Sequence, residues 1–132
     1  MNPWLLDTQL LLWLAVAPER LGEPLRQLLL DRETHVMFSV ASLWEVAIKT
    51  SLGKPAFQVD ARALRRGLLA VGLEELPLAA EHCLAVQHLP WVHRDPFDRL
   101  LVAAARETGC QLITADRTLL AYGPEVMAFD AV

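Results

Sequence analysis

The sequence predicts an α/β fold built on a mostly parallel sheet. Short apolar runs, typical of buried strands, alternate along the chain with longer segments in which apolar residues recur at helical spacing. The chain has 132 residues, of which 54% are hydrophobic and 21% charged, so it can fill the core of one domain and is unlike a disordered chain. No repeat, low-complexity segment or linker interrupts it, and we therefore expect a single domain over residues 1–132.

Two strands and three helices are predicted in the N-terminal half. The first strand is an apolar run that ends at Asp7, and a helix begins at Thr8. Pro24 fits the first turn of a second helix, and either Ser39 or Ser42 could cap the third. The predicted strands are 3–6 and 35–39, and the predicted helices are 8–16, 24–33 and a third that ends at 52, just before a glycine.

The second half continues the alternation of helices and strands. Asp60 is expected to cap one helix and Pro77 to open another. The clearest start is at Asp95 and Pro96, because an N-cap aspartate followed by proline at the first helical position is a favoured combination. The predicted helices are 61–71, 77–88, 96–108 and a short 116–121, and the predicted strands are 73–76, 111–114 and 125–129.

The composition excludes several classes of protein. The longest strictly apolar stretch, residues 10–17, is far shorter than the roughly 18 residues that cross a bilayer, and no basic segment of a signal peptide precedes it. The two cysteines, Cys83 and Cys110, form no CxxC motif and define no disulfide framework. We therefore expect a cytoplasmic protein without a membrane association.

The net charge of −4 is the main objection to a nucleic-acid substrate, since proteins that bind nucleic acids are usually basic. Four acids beside apolar runs, Asp7, Glu45, Asp98 and Asp116, contribute −4 by themselves, so the rest of the chain is formally neutral. If these four hold a divalent cation, the acidity belongs to one site. The net charge therefore does not exclude RNA.

These four acids are expected to meet at one edge of the sheet. Asp7 and Asp116 each follow a predicted strand, and Glu45 and Asp98 each lie in the first turns of a predicted helix. Parallel α/β sheets bind their ligands outside the carboxyl ends of the strands. Buried carboxylates need a partner, and several of them together favour a hard cation with oxygen ligands, such as Mg²⁺ or Mn²⁺.

A non-catalytic interpretation of the same acids stays open. Asp7 and Asp116 each suit a helix cap, Asp98 would favour the helix dipole, and Glu45 could pair with Lys49 four residues later. The alternative to a cation site is thus an α/β interaction module whose acids are helix caps. Capping explains each acid separately but not their joint placement, and the helix face that carries Glu45 is largely apolar.

Two other α/β classes with acids at strand ends fail on particular residues. A phospho-acceptor receiver domain needs a second acid after the first strand and a lysine after a late strand. Here Thr8 follows Asp7, and the lysines are Lys49 and Lys54. A haloacid-dehalogenase-type phosphatase needs a second aspartate where this chain has Gln9.

Hydroxyl and basic side chains near the acids are candidates for supporting roles. Hydroxyls can orient carboxylates around a cation, and those near the acids belong to Thr8, Ser39, Ser42 and Thr114, each of which could instead serve as a cap. Basic side chains can contact RNA phosphates, and the candidates are Lys49, Arg99 and Arg117.

The histidines and tryptophans are assigned structural roles by default. His35, His82, His88 and His93 show no metal-ligand spacing and are expected at the surface or at helix ends, with only His93, near Asp95, placed close to the acids. Large aromatic side chains most often pack in the core, and this is expected of Trp13, Trp44 and Trp91.

Four motifs together carry a resemblance to a known family. They are LLDTQLLLW (5–13), SVASLWEVAIKTSLGK (39–54), HRDPFDRLLVAAARE (93–107) and LITADRTLLAYG (112–123). In this order they resemble the PIN domain family, and more closely the VapC-type toxins of bacterial type II toxin–antitoxin pairs. Residues 55–89 contain no motif of this kind.

The resemblance implies a fold, an activity and partners. The fold would be a three-layer α/β/α arrangement around a parallel sheet of about five strands. The activity would be that of a Mg²⁺- or Mn²⁺-dependent endoribonuclease that cleaves RNA phosphodiester bonds with metal-activated water. The partners would be a second copy of the chain and a small antitoxin protein that binds across the active-site groove.

The resemblance also assigns roles to particular residues. Asp7, Glu45, Asp98 and Asp116 would be the catalytic acids that hold the metal. Asp95 would be an accessory acid or a helix cap, and Thr114 would support the site through its hydroxyl.

Overall fold

A single parallel sheet organises the computed structural model, which describes residues 2–55 and 57–131. Its five strands lie in the order β3-β2-β1-β4-β5, and every neighbouring pair is parallel. The strands are β1 (Trp4–Leu6), β2 (Val36–Ser39), β3 (Glu74–Leu76), β4 (Gln111–Thr114) and β5 (Val126–Ala128). The predicted α/β fold and all five predicted strands are confirmed.

Helices connect successive strands and cover both faces of the sheet. The α-helices are α1 (Thr8–Val16), α2 (Glu23–Leu30), α3 (Val40–Ser51), α4 (Ala61–Ala70), α5 (Ala80–Ala85) and α6 (Pro96–Thr108). In the part of the chain that the structure describes, short 3₁₀ turns span Pro18–Arg20, Val86–His88 and Arg117–Tyr122. Within residues 2–55 and 57–131, no helix combines the length and the apolar character that crossing a bilayer would require.

The alternation of side chains along each strand divides the core into two layers. On β1, Leu5 faces one layer, with Leu101 of α6, whereas Leu6 faces the other, with Leu11 of α1 and Leu68 of α4. These side chains are at most 1% exposed. Successive strand residues point to opposite faces, so the short apolar strands bury both sides, as a parallel sheet between two helical layers requires.

Several helix boundaries differ from their predicted positions. The helix α2 ends at Leu30 rather than near residue 33, because Asp31 adopts an extended backbone and its side chain accepts a hydrogen bond from the amide of Glu33. The helix predicted from residue 77 begins at Ala80 and gives way to a 3₁₀ turn at Val86, and the helix predicted at 116–121 is itself a 3₁₀ turn.

Two cap assignments are resolved by hydrogen bonds. Ser39 caps α3, since its Oγ accepts a hydrogen bond of 3.0 Å from the amide of Ala41, and Ser42 is free for another contact. Asp60 stands at the N-cap of α4 but, among the described residues, its side chain makes no capping bond. The prediction of a side-chain cap at Asp60 is therefore wrong.

Candidate active site

The four predicted acids line one open cleft at the carboxyl edge of the sheet. The cleft has a volume of about 390 Å³ and its walls come from α1, α3, α6 and the turn after β4. The register of the central strands explains this convergence, because Leu6 of β1 pairs with Ile113 of β4, so the two strands end side by side. The acidic side chains that line the cleft are Asp7, Glu45, Asp95, Asp98 and Asp116.

Asp7 is both a helix cap and a member of this cleft. Its Oδ1 accepts a hydrogen bond of 2.9 Å from the amide of Leu10, and its Oδ2 accepts one of 2.5 Å from the hydroxyl of Thr114. The side chain is almost fully buried. Burial raises the pKa of Asp7 to about 6, although the hydrogen bonds from Thr114 and Leu10 oppose the change.

Among the described residues, Glu45 has the one buried polar side-chain atom that lacks a hydrogen-bond partner. It projects from α3, is 4% exposed, and holds Lys49 Nζ at 2.6 Å through Oε2, so the predicted pair with Lys49 is present. Its Oε1 is buried without a hydrogen-bond partner. A buried carboxylate oxygen without a donor is costly, and Glu45 is one of several acidic residues that line the cleft.

The donor chemistry of the cleft therefore fits a divalent cation. Carboxylate oxygens are the ligands that Mg²⁺ and Mn²⁺ favour, and a cation would supply the partner that Glu45 Oε1 lacks.

Asp95 and Asp98 belong to the first turn of α6. Asp95 is the N-cap, and its Oδ1 accepts hydrogen bonds from the amides of Phe97 at 2.8 Å and Asp98 at 3.3 Å. The pKa of Asp98 rises to about 7, first because of burial and then because of the negative charges of Asp95, Asp7 and the other cleft acids. The helix cap predicted for Asp95 is confirmed, and Asp98 experiences the like-charge crowding that a cation would relieve.

Asp116 lies at the rim of the cleft, where donors surround its carboxylate. Its Oδ1 accepts hydrogen bonds from Thr118, at 3.0 Å from the amide and 2.6 Å from the hydroxyl, and its Oδ2 lies 3.2 Å from His93 Nε2. Partial burial works to raise the pKa of Asp116, but the hydrogen bonds from Thr118 and the contact with His93 outweigh it and lower the pKa.

His93 is the site residue for which sequence reasoning had the least support. Its Nε2 is 3.2 Å from Asp116 Oδ2 and 3.7 Å from Asp98 Oδ2, and the nearest donor atoms of the three residues lie within 4.8 Å of one another. The expected helix-end position is confirmed, since His93 lies two residues before the N-cap of α6, but its ring also faces two acids of the cleft. The only sequence signal was its position two residues before Asp95.

The predicted hydroxyls act through hydrogen bonds within the site. Thr114 Oγ1 donates to Asp7 and accepts a hydrogen bond of 2.9 Å from the amide of Asp116, so one side chain fixes two of the acids. Thr8 donates at 2.9 Å to Ser42, and this buried pair ties α1 to α3 next to the cleft.

The three predicted phosphate contacts have different surroundings. Lys49 lines the cleft, and its Nζ is 3.9 Å from Asp95 Oδ2 as well as bound to Glu45. Arg117 is largely exposed and pairs with Asp130 at 3.0 Å.

Arg99 is turned away from solvent. It is 3% exposed and donates to the carbonyl oxygens of Pro90 (2.9 Å) and Val86 (3.2 Å) and to the hydroxyl of Tyr122 (3.1 Å). The expected phosphate contact of Arg99 is therefore wrong, because its guanidinium is used to hold the segment before α6.

Core packing is also wrong for two of the tryptophans. Trp44 is 54% exposed and meets Phe97 edge-on at 5.2 Å between ring centroids. Trp91 is 80% exposed, with the guanidinium of Arg99 3.9 Å from its ring centre. Trp13 is partly buried against the second core layer and lines the cleft.

Comparison with known proteins assigns the family. The family profile described as "PIN domain" matches residues 4–123, which is most of the chain. The chain belongs to the PIN domain family. Among curated protein sequences, none matches this PIN domain significantly.

Solved structures similar to this PIN domain include several VapBC toxin–antitoxin proteins. A chain of VapBC2 from Rickettsia felis, bound to a promoter DNA fragment, has a TM-score of 0.70 and 16% identity, with 98% of each chain covered. A chain of DNA-bound VapBC from Salmonella typhimurium has a TM-score of 0.67 and 17% identity, also with 98% of each chain covered.

A third similar structure is VapC20 from Mycobacterium tuberculosis, described as a sarcin-ricin loop cleaving toxin. It has a TM-score of 0.57 and 18% identity, with 97% of this chain and 90% of that chain covered. The predicted resemblance to VapC-type PIN proteins is thus confirmed, and at these identities the likeness establishes the fold.

Proposed function

We propose that this PIN domain is a Mg²⁺- or Mn²⁺-dependent endoribonuclease and the toxin of a type II toxin–antitoxin pair. The observation that carries the proposal is the convergence of Asp7, Glu45, Asp98 and Asp116 on one cleft, with one buried carboxylate oxygen left unpaired. Family membership and the likeness to VapBC proteins and to VapC20, which is described as a sarcin-ricin loop cleaving toxin, support the same activity.

The four acids would hold the cation through oxygen atoms. Glu45 offers Oε1, which has no other partner among the described residues. Asp7 and Asp116 have donors on both oxygens, but each carboxylate oxygen has two lone pairs, so both can still serve as ligands. When bound, the divalent cation supplies an activated water and charge neutralisation for phosphodiester hydrolysis.

The other residues would position the acids and the RNA. Thr114 fixes Asp7 and Asp116 relative to each other, and the Thr8–Ser42 pair keeps α1 and α3 in register beside them. Lys49 neutralises Glu45 and can reach a phosphate that enters the cleft, since its long side chain is partly exposed. Arg117 offers a second, more exposed contact to the RNA backbone.

Asp95 takes the accessory role in this proposal. Its Oδ1 is committed to the N-terminus of α6, and its Oδ2 lies 3.9 Å from Lys49. Replacing Asp95 should therefore disturb the orientation of Asp98 more than the ligand set.

A purified-protein assay tests the nuclease. Wild-type protein, Asp7→Asn and the matched control Asp60→Asn, an exposed acid at the start of α4, are incubated with a mixed-sequence RNA in MnCl₂, in MgCl₂ and in EDTA. Wild type and Asp60→Asn should cleave RNA in Mn²⁺ or Mg²⁺ but not in EDTA, and Asp7→Asn should be inactive. Cleavage that persists in EDTA or in Asp7→Asn would show that the site is wrong.

The same assay decides between the enzyme and the non-catalytic module. If folded wild-type protein cleaves no RNA with either cation, the acids serve as helix caps and the protein is an interaction module. The cap bonds of Asp7, Asp95 and Asp116 would be present in either case.

The partners and location are part of the proposal. We expect a homodimer in the cytoplasm that binds the antitoxin encoded by the neighbouring open reading frame, as the resemblance to VapC-type proteins implies. Co-expression of the two proteins followed by native mass spectrometry should give a complex that contains both. Recovery of the free monomer alone would contradict both expectations.

A further inference from the structure

We propose that His93 is a positioning residue that donates a hydrogen bond from Nε2 to the carboxylate of Asp116, next to Asp98, and that it is not a ligand of the cation. This inference rests on the proposed function, since it concerns the same cleft. Proximity alone would suggest the opposite, because the donor atoms of His93, Asp98 and Asp116 lie as close together as those of a three-residue metal site.

The amide of Asp95 settles which ring nitrogen carries the proton. It donates a hydrogen bond of 3.1 Å to His93 Nδ1. A backbone N–H can only donate, so Nδ1 must present a lone pair and cannot be protonated. A neutral imidazole has one N–H, and it is therefore on Nε2. This N–H faces Asp116 Oδ2 at 3.2 Å, with Asp98 Oδ2 at 3.7 Å.

Ligation through Nε2 would require a different arrangement. A metal ligand must direct a lone pair at the cation, so the ring proton would have to move to Nδ1. There it would point at the amide hydrogen of Asp95, and both N–H groups would lose their acceptors. The cluster thus offers two carboxylates to a cation and one N–H that donates to Asp116.

Hydrogen bonds from other segments hold the backbone that carries His93. The amide of His93 donates at 3.1 Å to the hydroxyl of Tyr122, and the same hydroxyl accepts a hydrogen bond of 3.1 Å from Arg99. Arg99 also binds the carbonyls of Val86 and Pro90. The buried guanidinium therefore connects α6, the 3₁₀ turn after β4 and the His93 segment.

The positioning role of His93 follows from which oxygen of Asp116 each hydrogen-bond donor contacts. Thr118 binds its Oδ1 and His93 binds its Oδ2, so the plane of the carboxylate is fixed from both sides. Hydrogen bonds to ligating carboxylates orient them, and their loss typically weakens metal binding about 10–100-fold. Because the nitrogen is a donor, the ligand set stays all-oxygen, which favours Mg²⁺ or Mn²⁺ over softer cations such as Zn²⁺.

Two measurements on the wild-type protein test the proposal without any substitution. In metal-free protein with ¹⁵N-labelled histidine, NMR should find the proton of His93 on Nε2. In Mn²⁺-loaded protein, pulsed EPR should detect no ¹⁴N coupling from a coordinated imidazole. A proton on Nδ1, or a coordinated ¹⁴N that His93→Ala removes, would overturn it.

Variants test the positioning role. His93→Gln places an amide N–H near the position of Nε2, His93→Ala removes the donor, and His88→Gln is the control in an exposed turn. By Mn²⁺ titration, His93→Gln and His88→Gln should bind within about 3-fold of wild type, and His93→Ala about 10–100-fold more weakly. A loss in His93→Gln as large as that in His93→Ala, or no loss in His93→Ala, would overturn the positioning role.

The outcome for His93 can be separated from the outcome for the nuclease. If wild-type protein binds no Mn²⁺, the proposed function fails and the inference with it. Wild-type protein could instead bind Mn²⁺ and cleave RNA while the NMR, EPR or titration results contradict the expected behaviour of His93. In that case only the role of His93 is wrong.

Discussion

Asp98→Asn should stabilise the metal-free protein, although Asp98 is one of the proposed metal ligands. The pKa of Asp98 is about 7 in the folded protein and 3.8 in an ordinary exposed carboxyl. A pKa raised by folding means that the folded state binds the proton more tightly, so stability falls as the pH rises from about 4 to about 7. Each unit of difference between the folded and unfolded pKa values corresponds to about 1.4 kcal/mol. Above that pH window, ionised Asp98 therefore lowers the free energy of unfolding by on the order of 4 kcal/mol.

The dependence on pH provides an internal control. Between pH 5 and pH 8 the cost of ionising Asp98 grows by about 2–3 kcal/mol, because the folded carboxyl is mostly protonated at the lower pH. Asparagine has nearly the same shape and does not ionise, so its advantage should grow by the same amount over this interval. Any constant effect of the substitution on packing cancels in the difference.

Urea denaturation in EDTA at pH 5 and pH 8 measures this effect. Wild type, Asp98→Asn and the exposed control Asp60→Asn are compared at both values. Added Mn²⁺ should reverse the ranking of wild type and Asp98→Asn at pH 8, since the variant lacks one of the proposed ligands and Asp60→Asn, like wild type, keeps them all. Asp98→Asn could raise the free energy of unfolding equally at pH 5 and pH 8, or lower it at pH 8. Either result would show that the carboxylate does not bear the uncompensated charge that we infer.

Three further predictions concern the same cleft and its support. Mn²⁺ should raise the thermal unfolding midpoint of wild type more at pH 8 than at pH 5, because protons compete with the cation at Asp7 and Asp98; a shift independent of pH would contradict this. Thr114→Val removes the donor to Asp7 and should weaken Mn²⁺ binding about 10-fold or more by calorimetric titration, with unchanged affinity as the opposing result. Arg99→Met leaves buried acceptors unpaired and should cost about 2–5 kcal/mol in urea denaturation, whereas the exposed control Arg62→Met should cost almost nothing; equal losses would contradict the buried role.

The acids could be predicted from the sequence because their positions follow from the fold class. Asp7 comes directly after a buried strand and Asp98 lies in the first turn of a well-marked helix, so a parallel sheet brings both to one edge. The strands could be predicted for a related reason, since β1 and β4 are short apolar runs buried on both faces.

The roles of His93 and Arg99 could not be predicted in the same way. His93 faces Asp116, 23 positions later, and its donor role depends on a single backbone amide that no residue type encodes. Arg99 is buried by carbonyls from the segment 86–90, which carries no motif and whose path depends on tertiary packing. Helix ends such as that of α2 were missed because a local turn at Asp31 competed with one more helical turn.

The hydrogen bond between Thr114 and Asp7 joins residues 107 positions apart, and β1 lies between β2 and β4 in the sheet. During synthesis, β1 emerges from the ribosome long before the strand that completes its surroundings. A nascent chain that ends before β4 has no donor for the second oxygen of Asp7 and no Asp116 at all. The proposed activity should thus appear only after residues 111–116 have left the ribosome, because the cleft is incomplete without them.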